Sequence, residues 1–212
     1  MQIYTHSEAG HRHINEDHHV SSYHPANSDV ILCAIADGQG GQAGGGAASR
    51  IAAVKCVELC ALTPVDRLFF PKNWPPIIAS ADDAVQEDRE AGYSTLVGVS
   101  VKQNAVCGSS SGDSEAFLVT RHEAILLTEH QRRNPPIGSG GAYPVSFKSE
   151  LKSPWKLLLA TDGVYRYVGW EAITEILRYN GGRTAIEMLL KAQRDSHGGL
   201  LGDDFTAVLI EG

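Results

Sequence analysis

Between Val30 and Ala36 the chain reads VILCAIA, an unbroken apolar run of strand length that fits a strand buried on both faces, and it stops abruptly at Asp37-Gly38. The glycine-rich segment GQGGQAGGG follows, and from there Ala48, Ile51, Ala52, Cys56 and Leu59 recur at helical spacing, so the pattern predicts a strand, a tight loop and a helix. Beyond the proline-broken stretch PKNWPP it predicts a short helix over 77–89, with Pro75 and Pro76 near its start. Thr95, Val97, Val99 and Val101 then alternate with Leu96, Gly98 and Ser100, and shorter strands are expected at 104–109, 115–120 and 123–128. Four successive strands with no helix between them suggest an antiparallel sheet. KLLLA (156–160) is another buried strand and ends at Thr161-Asp162-Gly163. Two amphipathic helices follow, one carrying Trp170, Ile173, Ile176 and Leu177, the other Ile186, Leu189 and Leu190, before FTAVLI (205–210) supplies a final buried strand. Helices early, strands in the middle, helices late and a last buried strand describe an α+β sandwich better than a doubly wound sheet, which alternates throughout.

The first 24 residues show no such pattern. They carry His6, His11, His13, His18, His19 and His24 and read as a polar, loop-like stretch, because no thiol or carboxylate recurs with the histidines at zinc-ligand spacing. Cys33, Cys56, Cys60 and Cys107 form no CxxC pair and are expected to be buried reduced thiols. With 212 residues, 42% of them hydrophobic, and no repeat or long linker, residues 1–212 are expected to form one domain. A formal charge of −7 argues against nucleic acid or an anionic membrane as partner. Short apolar runs, and an N-terminus with neither basic nor apolar leader character, lead us to expect a cytoplasmic protein.

The candidate chemistry lies at strand ends. Asp37 follows VILCAIA, Asp162 follows LLLAT, Asp203 precedes DFTAVLI, and Gly112-Asp113 ends a further strand. Asp-Gly after a strand is an ordinary turn signal when met singly. Several together, if their strands share one sheet system, would place carboxylates side by side, where they repel and raise one another's pKa unless a cation sits among them. Oxygen donors favour Mg²⁺ or Mn²⁺ over zinc, and Gly38 lets its backbone carbonyl come close enough to serve as a donor. Arg12, with Glu16 and Asp17 four and five residues on, adds a guanidinium suited to phosphate beside acids that can orient it or metal-bound water.

In this order the residues resemble the metal-dependent protein phosphatases, the type 2C serine/threonine phosphatases, and above all their compact bacterial forms. The resembling elements are Arg-x-x-Asn-Glu-Asp at 12–17, DGQGG at 37–41 with the small-residue helix after it, GYSTLVGVSV, Gly112-Asp113-Ser114, TDG at 161–163, and Asp203-Asp204-Phe205-Thr206. The resemblance implies a four-layer α-β-β-α sandwich around two central antiparallel sheets, with two or three Mn²⁺ or Mg²⁺ ions at one end. Asp37 would bridge two ions, Asp162 and Asp203 would complete one, the Gly38 carbonyl would serve the other, and Glu16 and Asp17 would bind or orient their waters. Arg12 would hold the substrate phosphate, and Asp113 with Asp162 is the candidate for a third ion. The implied activity is hydrolysis of phosphoserine and phosphothreonine on proteins by metal-activated water, with a phosphorylated protein as substrate and a serine/threonine kinase as opposing partner. The stage II sporulation E phosphatases are a sister branch of similar size.

The chain departs from the family's pattern at Gln39, where eukaryotic members have His, at Glu115 in place of Arg, at Asp204 in place of Asn, and in a short segment between Thr128 and Trp155. The substitutions at Gln39, Glu115 and Asp204 motivate a rival reading, a pseudophosphatase that binds a phosphoprotein without turnover. A nucleotide site is a weaker rival: Gly38-Gln39-Gly40-Gly41-Gln42-Ala43 satisfies GxGxxA, but Asp37 would stand beside the pyrophosphate and no βαβ alternation continues.

Overall fold

The computed structural model describes residues 1–11, 14–40 and 44–212. In chain order the elements are β1 (Gln2–Glu8), β2 (Asp17–His24), β3 (Asn27–Asp37), α1 (Gly45–Leu62), the single turn α2 (Val65–Leu68), α3 (Trp74–Glu87), β4 (Leu96–Lys102), β5 (Ala105–Ser111), β6 (Glu115–Thr120), β7 (Ala124–Leu126), β8 (Val145–Glu150), β9 (Trp155–Ala160), α4 (Asp162–Val168), α5 (Trp170–Tyr179), α6 (Gly182–Ser196) and β10 (Phe205–Glu211). The strands form two antiparallel sheets, ordered β1-β10-β9-β6-β7 and β2-β3-β4-β5-β8.

The unbroken apolar run of β3 follows from where the strand sits. Successive side chains point to opposite faces of a sheet. Ile31, Cys33 and Ile35 pack between the two sheets against residues such as Leu157, Leu159, Val208 and Ile210, while Val30, Leu32, Ala34 and Ala36 pack outward beneath α1 and α3. The other sheet is covered in the same way, with Leu158, Ala207 and Leu209 lying under Ile173, Leu177, Ile186 and Leu189 of α5 and α6. Helix, sheet, sheet, helix is therefore the layer order. All four cysteines are buried and none is in a disulfide. Among the described residues no helix is long and apolar enough to cross a membrane.

Several sequence expectations need correction. The histidine-rich start is not a loop: it forms β1 and β2, each at the edge of a sheet. An edge strand has a neighbour on one side only, and here most of its residues are half-buried or exposed, so β2 (DHHVSSYH) carries no apolar pattern to read. The four middle strands do not form one sheet. β4 and β5 belong to one and β6 and β7 to the other, and the chain crosses between them at Gly112-Asp113-Ser114. α3 starts at Trp74 and holds both prolines in its first turn, where their missing N–H groups have no intrahelical partner to lose. The edge strand β8 and the short α4 were not anticipated.

Candidate active site

The two-sheet architecture brings the strand ends to one place. Asp17 opens β2 and lies directly opposite Asp37, the last residue of β3, in the ladder. β9 runs into Thr161-Asp162, and its partner β10 is entered through Asp203-Asp204, with the Thr161 amide donating to the Thr206 carbonyl at 3.1 Å. The crossover 112–114 closes the ring. Between these segments lies a pocket of about 360 Å³, lined by Glu16, Asp17, Asp37, Gly38, Asp113, Asp162, Asp203 and Asp204, with Arg133 and Arg166 beside them.

Small residues hold the acids in place. The Asp37 amide donates to Thr95 Oγ1 at 2.9 Å, Ser94 Oγ donates to the Asp37 carbonyl at 2.8 Å, and Thr95 Oγ1 and Ser114 Oγ lie 2.6 Å apart, so the GYST and Gly-Asp-Ser motifs together brace the end of β3. Gly38 donates to the Glu16 carbonyl at 3.1 Å, and a Cβ there would collide with the carbonyls of Gly45 and Glu16. Gly163 is equally confined, since a Cβ would strike the Asp204 carbonyl oxygen. Asp204 explains its own departure from the family's Asn: one carboxylate oxygen accepts from the Gly10 amide at 2.7 Å and the other from the Glu16 amide at 2.8 Å. It clasps both ends of the segment that carries residue 12.

The electrostatics are those of crowded acids. Asp17 is buried and accepts a hydrogen bond from Thr161 Oγ1 at 2.8 Å. Burial, reinforced by Asp204 and Asp162, pushes its carboxyl up to about 7 against the hydroxyl contacts that lower it. Asp37 is raised further, first by burial and then by Asp17 and Asp162, and its carboxyl shares a hydrogen bond with that of Asp162. Across the pocket, Arg166 Nη1 lies 2.6 Å from Asp162 Oδ2 and Arg166 Nη2 lies 3.0 Å from Asp113 Oδ2, with Arg133 Nε 3.4 Å from the same Asp113 oxygen. Tyr165 Oη donates to the Asp113 carbonyl at 2.9 Å. Glu115 stands at the edge of this group, and burial, then Asp113, push its carboxyl up to about 7 although Arg133 and Arg166 oppose the shift.

Among the described residues, no three His, Cys, Asp or Glu side chains are arranged as they stand to hold a metal ion. The donor set nevertheless fits a hard divalent cation. Carboxylates from five separate segments line one pocket, and burial and mutual repulsion raise Asp17, Asp37 and Asp162, the condition that a cation among them would relieve. As placed, these acids are turned to a hydroxyl, to another carboxyl and to a guanidinium.

No family model matches this sequence, and neither does any curated protein. In three dimensions the likeness spans the chain. The serine/threonine phosphatase Stp1 from Staphylococcus aureus superposes with a TM-score of 0.80 at 21% identity, covering 100% of this chain and 95% of that one. The Mycobacterium tuberculosis serine/threonine phosphatase PstP/Ppp gives 0.80 at 20%, covering 99% and 97%. RsbX, solved in complex with magnesium, gives 0.72 at 17%, covering 98% and 93%. The chain has the type 2C phosphatase fold.

Within that fold, the candidate residues Glu16, Asp17, Asp37, Gly38, Asp113, Asp162 and Asp203 all line the one pocket. Arg12 lies outside the described residues, as do Gly41, Gln42 and Ala43 of the GxGxxA match. Sequence reasoning missed Arg133, Arg166 and Asp82. Arg166 was findable, because it stands four residues after Asp162, the spacing that pairs side chains on a helix; the expectation of a turn at TDG hid the helix. Asp82, buried on α3, accepts from the Gly138 and Gly140 amides at 2.6 and 3.2 Å and from the Ala142 amide at 2.9 Å, pinning the short segment that carries Arg133. Nothing in the sequence marked its partners.

Proposed function

We propose that this chain is a metal-dependent protein serine/threonine phosphatase, acting as one catalytic unit over residues 1–212 in the cytoplasm. The observation that carries the reading is the convergence of Asp17, Asp37, Asp162 and Asp203 from the ends of four strands of both sheets on one polar pocket, in a fold shared with bacterial serine/threonine phosphatases. Asp37, Asp162, Asp203 and the Gly38 carbonyl would hold a pair of Mn²⁺ or Mg²⁺ ions, with Glu16 and Asp17 orienting their waters. Bound there, the ions would lower the pKa of a water and draw charge from the phosphoryl oxygens. Arg12 would bind the phosphate in fork geometry and position phosphorus for in-line attack. Asp17, kept in place by Thr161 and raised by burial and neighbouring acids while no cation is present, would return to its charged form beside the ions and accept from a water there. The substrate would be a phosphorylated protein, with a serine/threonine kinase as the opposing enzyme. Asp204 and Thr95 touch neither substrate nor ion in this account; they position Glu16 and Asp37.

The test is hydrolysis of p-nitrophenyl phosphate and a phosphothreonine peptide by wild type and Asp162→Asn, each with EDTA, Mg²⁺, Mn²⁺ or Zn²⁺. Turnover that needs Mn²⁺ or Mg²⁺ and vanishes in the variant supports the enzyme. Folded, metal-loaded wild type that binds the phosphopeptide without turnover would instead identify a pseudophosphatase, the reading motivated by Gln39, Glu115 and Asp204.

A further inference from the structure

The Asp113 side of the pocket already contains a cation of the chain's own. α4 starts at Asp162, and one turn later its Arg166 points back along the same face, the geometry of an i,i+4 pair. The two terminal nitrogens of the guanidinium go to two different acids: Nη1 to Asp162 at 2.6 Å and Nη2 to Asp113 at 3.0 Å. A planar fork with fixed donor directions is suited to such a bridge, and an ammonium is not. Asp113 is further held by Arg133 at 3.4 Å, and its backbone carbonyl by the Tyr165 hydroxyl of α4 at 2.9 Å, so the turn that carries it is held from α4 on one side and from the segment before β8 on the other. A divalent ion using Asp113 and Asp162 together would compete with Arg166 for both carboxylates and sit close to its guanidinium, cation beside cation.

We propose that Arg166 is the resident cation of this side of the pocket and takes the place of a third divalent ion, so that the chain binds two exchangeable metals. This rests on the metal-dependent reading above. It assigns Asp113 to the anchoring of Arg166 and makes Arg166 a positioning residue for Asp162: with Nη1 on one Asp162 oxygen, the other is left to the metal pair. A tethered cation does not dissociate when the divalent ion concentration falls, so the charge balance of Asp113 would not depend on metal supply.

The decisive measurement is metal stoichiometry, which does not depend on turnover. Mn²⁺ would be titrated calorimetrically into wild type, Arg166→Gln, Arg166→Lys and the double variant Arg166→Gln/Asp113→Asn, with native mass spectrometry counting bound ions. Arg166 is about half exposed, and a thermal melt verifies folding of each variant. The expectation is two ions on wild type and three on Arg166→Gln, with return to two in the double variant, which locates the added site at Asp113. Arg166→Lys retains a charge without the fork and should bind the third ion at least about tenfold more weakly than Arg166→Gln. Three ions on wild type, or two on a folded Arg166→Gln, would overturn the proposal while leaving the two-metal reading intact. No ion on wild type would overturn both.

Discussion

The two sides of the acidic pocket are built differently. On one, Asp17 and Asp37 face each other across a ladder and, among the described residues, their charges are met by hydroxyl groups and by another carboxyl. On the other, Asp113 and Asp162 share one guanidinium and Asp113 has a second nearby. Burial and like charge raise the first pair well above the ordinary carboxylate range, whereas for Asp162 the neighbouring Arg166 opposes the same forces. The contrast teaches that one side of the pocket leaves its repulsion among acids unrelieved by any cation of the chain among the described residues, whereas the fold brings a guanidinium to the other.

The sharpest way to break the contrast is Asp37→Asn. This carboxyl is half-buried at the mouth of the pocket and central to the proposed metal pair, so phosphatase activity with Mn²⁺ should fall by about a thousandfold or more, the upper range for removing a preorganised electrostatic partner. Stability without metal should hold or rise, because the amide needs no counter-charge. A variant with more than a tenth of wild-type turnover would remove Asp37 from the chemistry.

Gly163→Ala attacks the seam between the two sides. The added Cβ collides with the Asp204 carbonyl, and a backbone atom cannot swing aside as a side chain can. Overpacking of this kind should cost about 3 kcal/mol, the top of the usual range, read from chemical denaturation. A variant as stable as wild type would mean that α4 and the start of β10 are not held against each other as described.

The pH dependence of stability separates the sides more gently. Asp17 has a folded value near 7, above its unfolded value of 3.8. Between those values the folded state keeps a proton that the unfolded state gives up, so stability falls as pH rises through the window, and Asp37 carries the trend higher. In EDTA the melting temperature should drop by several degrees between about pH 4 and about pH 8, and saturating Mn²⁺ should flatten or reverse the slope. A melting temperature that climbs with pH in EDTA would show that the buried acids are already matched by a cation of the chain.

How much of this could be read from the sequence depended on burial. β3, β9 and β10 lie inside their sheets with both faces covered, so each is a continuous apolar run, and each has an Asp at the end that faces the pocket. Strand ends and the candidate metal ligands were therefore legible together. β1, β2 and β8 are edge strands with few buried side chains, and Phe147 is the only buried residue of β8, which leaves composition without period. Arg133 and Asp82 were illegible for another reason. Arg133 meets Asp113 only through the path of an irregular loop, and Asp82 looks like any helix-surface acid until the amides of 138–142 are folded onto it.

Asp204→Asn is the smallest perturbation and asks whether the histidine-rich entry depends on a carboxylate clasp. Asp204 is buried and uses one oxygen for Gly10 and the other for Glu16, two acceptors serving two amides. An asparagine has one oxygen, and its NH₂ would face one of those N–H groups donor to donor. Losing one such bond should cost about 1 kcal/mol. The damage should be local, because the clasp closes a short loop and the rest of β10 remains paired on both sides. Hydrogen exchange at Glu16 should then speed up while exchange in β3 stays unchanged, and KM for a phosphopeptide should rise more than kcat falls, since the loop carries Arg12, proposed for the phosphate. If exchange at Glu16 were unaltered, the loop would be held by contacts other than this carboxylate, and the family's Asn would be an equivalent solution at the same position.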